Sequence, residues 1–203
     1  RSCLVGSEMC IRDRNKIISL LPIFFTLFCS CVESSLPKQR AFLRIEFPEP
    51  DYVALKEIKS PVDFYYNLNA ADINVINTRQ FSINYIKMNL VVDMSLKKIS
   101  KVEDLENNFR DFSIRLETHS KKSNGMFVRE YEDVDNRVYA KIFEMRGDVA
   151  SPIQFYLTDS TSNFINGSLN LKFKSKYDSI FPTIQYVKND ILVLVESLNW
   201  RSR

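Results

Sequence analysis

Cys31 is the residue best equipped to do chemistry in this chain. It closes the string Phe28-Cys29-Ser30-Cys31, with small Ser30 directly before it. Cleavage between Ser30 and Cys31 frees the amine of Cys31 for acylation, while its thiol carries a diacylglycerol. The pattern resembles a bacterial lipobox with one departure. The usual Leu stands at Leu27, one place early, and Phe28 fills its slot. Cys29 is the poorer acceptor, because bulky Phe28 precedes it. Cys31 is therefore the expected lipidation site. Several acyl chains on one cysteine give stable membrane attachment, where a single chain is marginal.

The residues upstream fit that chemistry. Lys16 supplies a positive start, and residues 17–28 are apolar apart from Ser19, Pro22 and Thr26. About 20 apolar residues are needed to cross a bilayer, so this shorter run reads as the h-region of a signal peptide over residues 15–30. Residues 4–14, LVGSEMCIRDR, coincide with one reading frame of a transposon-end adapter used in sequencing libraries. Residues 1–14 are read as an artefact, with a native start expected just before Asn15. A lipidated tether is expected over 31–40 and a soluble envelope domain over 41–203.

The other reactive groups are few. After Cys3, Cys10 and Cys29 are set aside with residues 1–30, Cys31 is the last cysteine. The domain then has no disulfide, no Cys metal ligand and no Cys nucleophile. His119 is the single histidine, so neither an HExxH site nor a His-based zinc cage can form. A Ser-His-Asp triad would have to use it, and no G-x-S-x-G elbow accompanies it. In the polar context THSKK, His119 reads as a solvated residue near a helix C-terminus, where a cation is mildly favoured. Three glycines, Gly125, Gly147 and Gly167, cannot build a P-loop or a G-x-G-x-x-G turn. Glu103/Asp104 and Glu132/Asp133 are adjacent acids that do not share a helix face, and Lys121-Lys122 reads as a solvated pair. No catalytic residue, cofactor or metal site is expected, and the chain is read as a non-enzyme.

Charge narrows the partners. The chain holds 28 Lys+Arg and 25 Asp+Glu. Residues 1–30 carry four of the basic and two of the acidic residues, which leaves the mature part at +1. That balance offers nothing to nucleic acid. The tether Val32-Glu33-Ser34-Ser35 has one acid only, which favours a periplasm-facing protein over one sent to the cell surface.

One segment invites contact. Residues 147–159, GDVASPIQFYLTD, join two strands through Gly147 and Ser151-Pro152. A partner-docking loop built from Ser151, Pro152, Gln154 and Asp159 is one reading. A turn plus strand, with Asp159 and Ser160 bonding local backbone, is the other. Asp159-Ser160-Thr161 and Asp178-Ser179-Ile180 loosely fit an Asp-Ser/Thr-apolar pattern of periplasmic O-glycosylation. They make Ser160 and Ser179 acceptor candidates, with turn or N-cap roles as the alternative.

The elements that must position these residues follow from periodicity. Strands are predicted over 41–47 (Leu43, Ile45 and Phe47 on one face), 64–66 and 83–94. In the last of these, Ile86, Met88, Leu90, Val92 and Met94 share a face. Ser100 with Glu103 fits a capping box. Val102, Leu105, Phe109, Phe112 and Leu116 then mark a helix stripe. Further strands are predicted over 127–131, 137–145, 155–157 and 169–174, the last with Leu169, Leu171 and Phe173 inward. A final helix over 179–198 carries Ile180, Ile184, Val187, Ile191, Leu194 and Leu198 on its buried stripe. The order β-β-β-α-β-β-β-β-α predicts a single α+β domain, a mostly antiparallel sheet with two main helices packed on it.

Several of these residues form a recognisable pattern. It comprises Pro37-Lys38, FLRIEFP from Phe42, ASPIQFYLTDST from Ala150, Phe164, Gly167-Ser168-Leu169, Asp178-Ser179-Ile180, the YVKNDI run from Tyr186, and Leu198-Asn199-Trp200. It resembles the gliding motility lipoprotein GldD family of Bacteroidota. The resemblance implies a non-enzymatic cell-envelope lipoprotein that supports gliding and the linked type IX secretion machinery. Its implied partners are other envelope proteins of that machinery and, through the lipid anchor, the membrane. It implies no catalytic residue. An alternative class is a periplasmic small-ligand-binding module, since a helix-flanked antiparallel sheet is loosely similar to the PsbP-like architecture; that is analogy of fold alone. A deep pocket with convergent polar groups would favour it.

Overall fold

The computed structural model describes residues 45–55 and 60–201. Cys31, the tether and Leu43 lie outside the described residues. The strands are β1 (Tyr52–Ala54), β2 (Val62–Asp63), β3 (Tyr65–Asn67), β4 (Asp72–Asn77), β5 (Gln80–Tyr85), β6 (Leu90–Lys98), β7 (Gly125–Asp133), β8 (Val138–Arg146), β9 (Ile153–Thr158), β10 (Asn163–Leu171) and β11 (Asn199–Trp200). The helices are α1 (Val102–Ser120) and α2 (Tyr177–Glu196). Seven strands form one sheet in the order β4-β5-β6-β10-β9-β8-β7, and every pairing is antiparallel. β1 pairs with β3, and β11 with β2. The fold is α+β, as the sequence predicts.

Side chains alternate across a strand, and the two faces of this sheet differ in kind. One face is aliphatic. Ile153, Phe155 and Leu157 of β9, Ile165 and Leu169 of β10, and Leu90, Val92, Met94 and Leu96 of β6 pack there with Ile184, Val187, Ile191 and Leu194 of α2. Each such side chain contributes roughly 1.5–3 kcal/mol when fully buried, so this layer carries most of the stability. The α2 stripe matches the predicted one, including Leu198 just past the helix.

The opposite face is aromatic at one end and polar at the other. Phe109 and Phe112 of α1 meet Tyr156 at ring separations of 5.1 and 5.2 Å, and Phe109 meets Phe164 at 5.1 Å. Phe112 also contacts Phe143 at 5.5 Å. Only Asn108 and Phe112 of α1 are buried, and Val102 is exposed. The predicted stripe is real but thin. Helix α1 rests on the sheet through a few rings.

Several predicted elements differ in the structure. Residues 45–47 form no strand; Phe47 instead stacks on Tyr186 at 4.7 Å. The run predicted as one strand over 83–94 is two strands joined by a 3-10 turn at Ile86–Met88. Asn89 turns the chain in the left-handed region at φ 55°, and Ile86 is exposed. Strand β4 was not predicted. Strand β10 ends at Leu171, so Phe173 points outward and is 67% exposed. The α1 cap sits one residue later than the Ser100–Glu103 box. The Asp104 carboxylate accepts the backbone N–H groups of Ser100 (3.0 Å) and Lys101 (2.9 Å).

Candidate functional site

The polar end of the sheet faces α1 across a gap. Strand alternation sets Asn166, Ser168 and Asn170 of β10, Asp93 and Ser95 of β6, and Gln154 of β9 on that side, as the cross-strand register requires. The α1 residues Phe112, Arg115 and His119 recur at three- and four-residue steps, which puts them on one helix face. Between these elements lies a cavity of about 340 Å³ whose lining includes Asn166, Gln154, Ser168, Asp93, Arg115 and His119. The Asp93 carboxylate accepts Ser82 Oγ at 2.9 Å and Asn170 Nδ2 at 3.0 Å. Asn166 is 6% exposed, and neither atom of its side-chain amide has a hydrogen-bond partner.

A second polar cluster lies on the aliphatic side. Asp190 of α2 is buried, and its carboxylate accepts Tyr52 OH at 2.8 Å, Asn67 Nδ2 at 3.2 Å and the Tyr85 hydroxyl. Asn67 Nδ2 also donates to Tyr186 OH at 2.9 Å, and Tyr186 OH donates to the Pro48 carbonyl at 2.8 Å. Burial pushes the Asp190 carboxyl above its ordinary value, against the opposing pull of these donors. Burial and the nearby carboxylate also raise Tyr52 and Tyr85. The network ties residues 48–54 to α2. Its chemistry is structural, because every acceptor and donor is already matched.

The β9–β10 turn is governed by Asp159. One carboxylate oxygen accepts the backbone N–H groups of Thr161 (2.9 Å), Ser162 (2.7 Å) and Asn163 (2.9 Å), and the other accepts Asn163 Nδ2. Burial raises this carboxyl, but the backbone donors outweigh it, and the net shift is downward. Asp159→Ala should therefore cost about 1–2 kcal/mol, the scale of a lost backbone cap. The lowered carboxyl means that the contribution is present above the ordinary Asp value and is lost as pH falls through the lowered one. Urea titrations at neutral and acidic pH should show the deficit of the variant shrinking on acidification. An equal deficit at both would contradict the assignment.

The sequence candidates land unevenly. Ser151, Pro152, Gln154 and Asp159 are all buried, so the docking-loop residues form no exposed set. Ser151 Oγ donates to the Leu169 carbonyl at 3.0 Å. Within residues 147–159 the exposed positions are Asp148 and Ala150, and Ser160, Thr161 and Ser162 are exposed in the turn that follows. Ser160 adopts φ 64° in the turn, and Ser179 is exposed in the first turn of α2, three residues past the N-cap Lys176. His119 sits in the last turn of α1 as expected, but it is half-buried at the cavity rather than fully solvated. Gly147 turns at φ 103°, and Asp148 accepts the Tyr177 N–H at 2.8 Å, capping α2. Among the described residues, no group of three or more His, Cys, Asp or Glu could hold a metal ion, and no helix is long and apolar enough to cross a membrane.

Two groups escaped the sequence reading, and both left a signal. Asp190 stands three residues after Val187 and four before Leu194, so it falls on the buried α2 stripe. Asn166 stands two residues after Phe164 and two before Ser168, on a strand whose start was placed at Leu169.

Comparison with known families decides the affiliation. The family described as gliding motility lipoprotein GldD matches residues 32–200. The chain belongs to the GldD family. The match takes in β1 to β11 and both helices, so the domain described above is the family's domain. No curated protein and no solved structure matches the chain. GldD proteins are gliding motility lipoproteins, which gives this chain a lipid-anchored place in the cell envelope.

Proposed function

We propose that this protein supports gliding and the linked type IX secretion machinery as a non-enzymatic lipoprotein that works through protein–protein contacts. It is lipidated at Cys31 after removal of the signal peptide, and it faces the periplasm. The observation that carries the reading is the GldD match across residues 32–200, which spans the whole described domain to Trp200. The geometry agrees with a binding role. Both clusters of polar groups built from several elements sit within the fold. The Asp190 network fastens the residues that follow the tether onto α2, so the anchor joins a braced domain. At one sheet edge, β7 pairs only with β8 and exposes Met126, Phe127 and Val128. Open edges with exposed apolar side chains are common sites of strand addition by partners. At the β9–β10 turn, Ser160, Thr161 and Ser162 are exposed, and Asp159 shapes the turn from within. O-glycosylation at Ser160 and Ser179 would appear as glycan mass on the peptides that contain them.

A deletion strain complemented in turn with wild type, Cys31→Ser and Val128→Lys tests this reading. Deletion should abolish colony spreading and export through the type IX route. Cys31→Ser should lose membrane retention and fail to restore either. Val128→Lys should stay folded, restore both in part, and recover less envelope protein on affinity purification. Normal gliding and secretion in the deletion strain would overturn the function.

A further inference from the structure

The cavity between α1 and strands β5, β6 and β10 has the chemistry of a binding site that no role described above uses. Its distinguishing group is Asn166, which is 94% buried and has an amide with neither donor nor acceptor matched. An unpaired buried polar group costs roughly 1–3 kcal/mol, so a fold keeps one chiefly where something else completes it. The surrounding groups say what that could be. Gln154 and Asn170 add amides, and Ser95 and Ser168 add hydroxyls. Asp93 brings one negative charge and Arg115 one positive charge, so the lining is close to neutral. Asp93 and Asn170 are joined by a 3.0 Å hydrogen bond into a rigid acceptor–donor pair. A nearly neutral lining gives a strongly charged ligand no advantage, and the density of polar groups disfavours an apolar one. A half-enclosed volume of about 340 Å³ suits a compact ring better than an extended chain.

We propose that this cavity binds a neutral carbohydrate ring, with the Asn166 amide spanning two neighbouring hydroxyls. A planar side-chain amide offers one N–H donor edge and one carbonyl acceptor side by side. Vicinal hydroxyls present the complementary pair at matching spacing. Asp93 and Asn170 receive further hydroxyls at the open side, and Arg115 donates from α1. Phe109 and Phe112 of α1 pack on the sheet beside the cavity and hold the helix over it. The site is separate from the edge strand β7, and it takes Gln154, one of the docking candidates, as a buried lining residue rather than an exposed contact.

The test uses the full lipidated chain in detergent, with glucose, galactose, mannose and N-acetylglucosamine as probes and glycylglycine as the zwitterionic control. At least one sugar should bind saturably in the millimolar range by calorimetry and raise Tm, while glycylglycine should do neither. Asn166→Leu should abolish sugar binding and leave the unliganded protein as stable as wild type or more so, since it removes an unmatched amide. Arg115→Ala should weaken binding several-fold without changing unliganded Tm. If no probe sugar binds, or if glycylglycine binds instead, the proposal fails. It also fails if Asn166→Leu lowers unliganded Tm, because the amide is then satisfied within the protein or by water.

Discussion

Gly167→Ala should cost about 3 kcal/mol, at or above the usual range for overpacked sites, although the same change in most strands is mildly favourable. Glycine inside a strand ordinarily costs roughly 0.5–1 kcal/mol relative to alanine. Here the sign reverses. Gly167 of β10 pairs with Phe155 of β9, and the Phe155 ring lies across the place where a Cβ would stand. A Cβ there would meet Phe155 Cζ at 2.0 Å and Cε2 at 2.2 Å, distances that no side chain tolerates. Phe155 has no free direction, because it is fully buried under α2 in the aliphatic layer. For a domain of this size such a loss lowers Tm by roughly 6–12 °C. Phe155→Leu shortens the ring side chain, so the pair Gly167→Ala with Phe155→Leu should recover part of that loss. Chemical denaturation of the four proteins gives the coupling, expected at about 1–3 kcal/mol for residues in contact. Strict additivity would show that the clash is relieved elsewhere.

The same strand shows what periodicity reveals and where it stops. In the sequence, Leu169 and Leu171 announce an inward face, and both are covered in the fold. Periodicity does not mark where pairing ends. Lys172 donates its N–H to the Asn89 carbonyl, the ladder closes at Leu171, and Phe173 swings outward although its spacing is correct. The run from Ile83 to Met94 fails for a related reason. Its apolar residues keep step through a turn whose sharp feature is the backbone of Asn89, and a left-handed residue leaves no mark on a hydrophobic pattern. Helices are read more securely, because α2 sets six apolar positions against one continuous layer. The site was harder to see. Asn166 and Gln154 are ordinary polar residues in sequence, and their meaning comes from neighbours on β6 and α1 that only the register brings close. Asp159 was legible, since a short acid before Ser and Thr is a turn signal with a mechanism.

Asp190 should make the stability of the domain depend on pH, with a sign opposite to that of Asp159. Its carboxyl is raised by burial. The folded state therefore holds a proton that the unfolded chain releases near the ordinary Asp value. The contribution to stability is full below that value and declines as pH rises through the raised one. Asp190→Asn keeps an acceptor for Tyr52 and Tyr85 but cannot ionise. Wild type minus variant stability should fall as pH increases across the weakly acidic range, and an identical pH profile in both proteins would contradict the assignment. Asp190→Ala is harsher. It strands Tyr52, Tyr85 and Asn67, whose donors all converge on the carboxylate, at a cost of roughly 3 kcal/mol or more. The loss should concentrate where the network leads. Phe47 is stacked on Tyr186, and Tyr186 holds the Pro48 carbonyl. Hydrogen exchange should therefore accelerate over residues 48–54 before it does in β9 and β10. With Cys31 as the proposed anchor, those residues lie between it and the sheet in the chain. A strain carrying Asp190→Ala should keep the lipoprotein in the membrane and yet glide poorly, because the domain is attached through a segment no longer braced against α2.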